Sequence, residues 1–131
     1  MDVFTVIQKL QKQYPNKTII KNDEQQPTEI LCEIDPPSEH ADYSVAISII
    51  DKSNPHKHNK TTETYKVLHG ILTLYIDEEM IFMNEGDIHV IPPKHVHWAE
   101  GIETWVQCKA TPAWRPTDHI FIKSVDFDVN K

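Results

Sequence analysis

The chain is poor in three things. Of its thirteen basic residues only Arg115 is an arginine. The other twelve are lysines scattered along the sequence, and against 20 acidic residues they leave a net charge of -7. A surface built for nucleic acid or an anionic membrane needs clustered cations, so neither partner is expected. Cysteine is also scarce. Cys32 and Cys108 lie far apart and form no C-x-x-C pair, which points to free, mostly buried thiols and away from redox chemistry. Finally, no apolar run approaches the length of a membrane span, and the opening MDVFTVIQKLQKQYP lacks a positively charged n-region, so the cytoplasm is the expected compartment. The 131 residues, 39% hydrophobic, suffice for one compact core and suggest no second. There is no internal repeat and no low-complexity tract.

What is present falls into three parts. In residues 2–14, Val3, Val6, Ile7, Leu10 and Tyr14 recur at helical spacing, predicting an amphipathic helix that Pro15 ends. Its apolar face is expected to pack outside a barrel or on a second subunit, and a homodimer is expected. Residues 21–42 read as connective, with prolines around a short strand at 30–34. From Tyr43 onward YSVAISII, TYKVLH, ILTLYI, MIFM, IHVI and TWVQCKA are short β-branched and aromatic runs separated by turn residues, the pattern of an antiparallel sandwich or barrel. The divisions are therefore 1–42 (helix and connecting strand or loop), 43–122 (barrel) and 123–131 (tail).

Two stretches carry possible chemistry. In NPHKHNKTTETYKVLHG, Asn54 to Gly70, an extended backbone would project His56 and His58 from one face, and a period of two places Glu63, Tyr65 and Val67 together on another. Two imidazoles and a carboxylate could then meet; a solvated polar loop after Pro55 is the alternative. In GDIHVIPPKHVHW, Gly86 to Trp98, a turn, a strand and a Pro92-Pro93 corner precede a second spaced pair, His95 and His97.

Together these stretches resemble the two motifs of the cupin family. His56, His58, Glu63 and Gly70 match the first, and Gly86, Pro92 and His97 the second. Three positions depart from the pattern. Ile50 and Lys94 stand where the family has glycine, and Gly101 where it has asparagine; these concern turns and the rim. The resemblance implies an all-β fold, a single jelly-roll barrel with the helix appended. At its centre a divalent metal would be held by His56, His58, Glu63 and His97. Imidazole and carboxylate suit Fe, Mn, Ni, Zn, Co or Cu, whereas calcium and magnesium prefer oxygen shells.

Around that centre, Tyr65 and His95 are candidates for catalytic roles, against readings as a core aromatic and a rim residue. His69 and His89 read as ordinary strand or turn histidines. The segment TPAWRPTDH resembles the stretch that closes over the pocket in many small cupins, so Trp114 and Arg115 are candidates for substrate binding, Arg115 by bidentate contact with an anion. A metal-dependent enzyme acting on a small polar or anionic molecule is expected, of the sugar or sugar-phosphate isomerase or epimerase type. The alternatives are a metal-dependent dioxygenase or decarboxylase, and a non-catalytic module that binds a small ligand.

Overall fold

The computed structural model describes residues 1–122; the expected tail at 123–131 lies outside the described residues. The predicted helix is present as α1 (Val3–Gln13). Asp2 caps it, its carboxylate accepting the backbone N–H and the hydroxyl of Thr5. Ten strands follow: β1 (Ile19–Lys21), β2 (Glu29–Asp35), β3 (Ser44–Lys52), β4 (His56–Lys57), β5 (Thr62–His69), β6 (Leu72–Ile76), β7 (Glu79–Met83), β8 (Ile88–Ile91), β9 (His97–Thr111) and β10 (Ile120–Phe121). A short 3-10 turn at Pro116–Asp118 precedes the last. Among the described residues no helix is long and apolar enough to cross a membrane.

Every pairing is antiparallel, and all ten strands belong to one sheet. It curls into a jelly-roll half-barrel because β9 is shared. Its first residues pair with β4 and β6, while the rest runs between β3 and β5. β9 is longer than the TWVQCKA run predicts, since AEGIE, polar enough to read as a turn, is incorporated through bulges. Glu103 takes a positive φ of 44° there, and a Cβ on Gly101 would collide with the side chain of Thr104 and crowd the carbonyl of Ile50. That explains glycine where the motif has asparagine.

Alternation divides the sheet into two apolar layers. The inner one gathers Ile50, Tyr65, Val67, Leu72, Leu74 and Val106 with their neighbours. On the outer surface Ile30, Cys32, Ile47 and Ile49 receive Val6 and Leu10 of α1, both essentially without solvent exposure. The helix therefore covers the outside of the sheet of its own chain. Each large aliphatic side chain buried this way contributes roughly 1.5–3 kcal/mol of transfer free energy.

Candidate metal centre

Three strands and one loop deliver the four predicted ligands. β4 carries His56, whose cross-strand partner is His97 at the start of β9. His58 follows β4 directly, and Glu63 is the second residue of β5. All four are buried, with exposures of 7% (His56), 3% (His58), 9% (Glu63) and 1% (His97). Their potential ligand atoms lie within 4.8 Å of one another, and they form a group that can hold a metal ion.

The imidazoles are oriented by the backbone. Nδ1 of His56 donates to the carbonyl of Asn54 at 2.8 Å, that of His58 to Asp118 at 2.9 Å, and that of His97 to His95 at 3.0 Å. With Nδ1 carrying the proton, each neutral ring turns an Nε2 lone pair toward the centre. All three lone pairs face one carboxylate oxygen, Glu63 Oε1, at 3.6, 3.0 and 2.8 Å for His56, His58 and His97. His58 Nε2, though close to that oxygen, is a buried atom without hydrogen-bond geometry to any partner.

Such a cluster sets acceptor against acceptor and is stable only around positive charge, supplied by protons or by a metal ion. The titration tendencies carry the same message. Burial works against the Glu63 carboxylate, but the adjacent imidazoles of His56, His58 and His97 outweigh it and hold its pKa well below the ordinary range. Burial likewise works against charged His58, and the adjacent Glu63 carboxylate more than compensates, raising its pKa. Among the described residues no lysine or arginine reaches Glu63 within ion-pair distance. Three imidazoles, one anion and no competing cation fit a divalent transition metal.

Two turns on the path from Glu63 to His97 are made by glycine. Gly70 and Gly86 have φ of 94° and 88°, the left-handed region that glycine enters freely. Lys94, standing where the motif has glycine, nonetheless adopts φ 74°, and its N–H donates to the carbonyl of His58. The turn survives the substitution.

The remaining predicted residues are placed as follows. Tyr65 is 3% exposed on the inner wall, edge-on to the His97 ring at 6.1 Å between centroids. Burial, then the Glu63 charge, push its pKa well up, so it is a neutral phenol. The His95 ring is not brought among the four ligands; its Nδ1 lies 2.6 Å from Asp77 Oδ2 at the surface, while its carbonyl orients His97. Arg115 is exposed and Trp114 half-buried. The Trp114 indole Nε1–H donates to Nδ1 of His119 at 2.9 Å.

That last contact exposes two residues the motifs do not mention. His119 stacks on His56, 4.3 Å between centroids and 7° from parallel, and meets His58 edge-on at 5.1 Å. Burial, then repulsion from His56 and His58, lower its pKa to about 3, so it is neutral. Asp118 accepts the backbone N–H groups of Asn59, Lys60 and Thr61 on its carboxylate. The available signal was an Asp-His pair in the same TPAWRPTDH segment that supplies Trp114 and Arg115.

Fold and site together define a small β-barrel with a buried three-histidine, one-glutamate group. Residues 49–106 match the family model of the cupin domain, and the fold is that of cupin barrel proteins. No curated relative matches the sequence. Among solved structures the chain is similar to Pac13, a nucleoside dehydratase of Streptomyces, with 14% identity and a TM-score of 0.73 over 88% of this chain and 92% of that one. It is similar to a variant of oxalate decarboxylase from Bacillus subtilis, with 12% identity and a TM-score of 0.69 over 83% of this chain and 31% of that one. A sugar phosphate isomerase of the cupin superfamily from Silicibacter pomeroyi shows 15% identity and a TM-score of 0.61 over 73% and 71%. At such identities the likeness establishes the fold.

Proposed function

We propose that the protein is a metal-dependent enzyme that relocates a proton on a small hydroxyl-bearing molecule, an isomerase or epimerase of the sugar or sugar-phosphate type. The observation that carries this reading is the convergence of three backbone-oriented Nε2 atoms on the buried Glu63 carboxylate. His56, His58, Glu63 and His97 would hold a divalent ion, which would supply Lewis-acid polarisation of a substrate carbonyl or hydroxyl.

The chain's own groups do the rest. Tyr65, kept neutral, donates a hydrogen bond from the inner wall. His95, held by Asp77 Oδ2, is the candidate base nearer the surface. Trp114 and Arg115 belong to the segment that reaches the centre through Asp118 and His119, and Arg115 is the cation available for an anionic substituent. The similar structures include a sugar phosphate isomerase and a nucleoside dehydratase crystallised with uridine, both handling sugar-bearing molecules. Decarboxylation of a small acid, suggested by the oxalate decarboxylase likeness, is the second reading.

Elemental analysis of untagged protein purified without added metal, followed by nuclear magnetic resonance of aldose and ketose phosphates in deuterated water, tests the reading. One transition-metal ion per chain with deuterium entering the carbon beside the carbonyl is expected. Metal-free protein that stays inactive after reconstitution would discard it.

A further inference from the structure

The mechanism above leaves one inward-facing acid unused. On β2, Ile30 and Cys32 pack outward against the layer that receives α1, which turns the alternate residues Glu29 and Leu31 toward the barrel interior. The register agrees. Glu29 pairs with Ile50 and Leu31 with Ser48, and both partners are fully buried. Ser48 donates its hydroxyl to Glu29 Oε2 at 2.7 Å, while Oε1 has no hydrogen-bond partner among the described residues. No lysine, arginine or histidine among them lies within ion-pair distance of the carboxyl.

The charges that act on Glu29 come from the candidate metal centre. His56 on β4 and Glu63 on β5 both bear on it, and Glu29 in turn bears on Tyr65 and Cys108, cross-strand partners on the inner wall. Glu29 thus shares one interior with the four ligand residues without being one of them. Burial raises its pKa, the Ser48 bond and His56 pull the other way, and Glu63 adds to the rise; the net shift is upward from the ordinary carboxylate value.

We infer that Glu29 is a catalytic proton-transfer residue of this site, aimed by Ser48, and that its substrate presents a carbon-bound proton beside a carbonyl. The inference rests on the proposed isomerase reading. In the step it performs, the C–H bond next to the carbonyl breaks and its electron pair forms the double bond of an enediol. The proton passes to a Glu29 oxygen and returns to the neighbouring carbon, while a hydroxyl proton moves between the two oxygens. Nothing is oxidised overall and no co-reactant is needed. With Glu63 alongside, the interior favours a neutral polyol end of the substrate, leaving any phosphate for the rim.

The test uses Glu29→Gln and Ser48→Ala in the purified holoprotein, with D-glucose 6-phosphate and D-fructose 6-phosphate as probes. Glu29→Gln should keep the wild-type metal content by elemental analysis and lose roughly 10²- to 10⁴-fold in the rate of deuterium exchange from solvent into the probe. Ser48→Ala should lose less and shift the pH profile of exchange. Exchange in Glu29→Gln equal to wild type would overturn the inference. Should wild type exchange neither probe, the isomerase reading fails, and infrared spectroscopy of the holoprotein decides on Glu29 separately. A carboxylic-acid carbonyl band that titrates above the ordinary carboxylate range in wild type and is missing in Glu29→Gln supports a proton-transfer group. Absence of that band in wild type overturns it.

Discussion

Asp118 and His58 stand 60 residues apart and are joined through both chemical faces of the aspartate. The main-chain carbonyl accepts Nδ1–H of His58 at 2.9 Å, and the carboxylate gathers the N–H groups of Asn59, Lys60 and Thr61 just beyond it. One residue therefore fixes the tautomer of a ligand and the shape of the loop that carries it. Burial opposes the Asp118 charge, but the bonds from Lys60, Asn59 and Thr61 prevail and keep its pKa below the ordinary value.

Replacing Asp118 by Ala removes the carboxylate acceptor and leaves three N–H groups without it. The loop should relax, His58 should lose its fixed orientation, and affinity for zinc should fall roughly 10- to 100-fold, as for other groups that orient a metal-bound histidine. Competition titration with a chromophoric chelator measures this. An unchanged affinity would assign Asp118 to loop structure alone.

For the ligands the expectation is stronger. His58→Ala or His97→Ala should abolish stoichiometric metal, because either leaves three donors in a site whose remaining imidazoles are already committed to Glu63. The β-rich circular dichroism should persist, since the inner apolar layer of Ile50, Val67, Leu72, Leu74 and Val106 does not depend on the ion. His69→Ala is the control: its ring is 71% exposed, near Glu85 and outside the cluster, so metal should stay bound. Full occupancy in the His97 variant would contradict the ligand assignment.

These ligands were legible in the sequence because two motifs name them, and the strand runs because β-branched residues alternate between two apolar layers. Glu29 was hidden for the opposite reason. Its segment, rich in proline and polar residues, reads as connective, and only the pairing of Glu29 with Ile50 turns it inward. Asp118 and His119 depend on a return of the chain to the mouth of β4, visible once Ile120 and Phe121 pair with Lys57 and His56. Long-range pairing of a two-residue strand leaves no periodic trace. The incorporation of AEGIE into β9 was obscured because a bulge spends polar residues and a glycine inside a strand.

Lys94 offers a stability test of the departure from the motif. An L-residue in the left-handed region costs roughly 1–2 kcal/mol, and glycine avoids this at an entropic cost of about 0.5–1 kcal/mol. Lys94→Gly should therefore stabilise the fold by up to roughly 1 kcal/mol, seen as a higher midpoint in urea with an unchanged slope. Destabilisation would mean that the lysine side chain makes a compensating contact.

His119 sets a pH dependence whose sign follows from its lowered pKa. Trp114 donates to its Nδ1, so protonation there breaks that bond and places a cation against His56 and His58. In the folded chain the ring stays neutral until the pH approaches about 3, whereas in the unfolded chain it takes up a proton near 6.5. Between those values the unfolded state binds more protons, so stability attributable to His119 is complete above about 6.5 and declines as the pH falls toward about 3. His119→Gln deletes this titration while leaving an amide oxygen for the Trp114 donor. In metal-free protein, the melting temperature of wild type should fall relative to that of His119→Gln as the pH is lowered through this window, and the two should diverge least above it. Parallel curves throughout would show that the ring is as easily protonated in the folded chain as in the unfolded one, and that the stack on His56 does not exclude the charge.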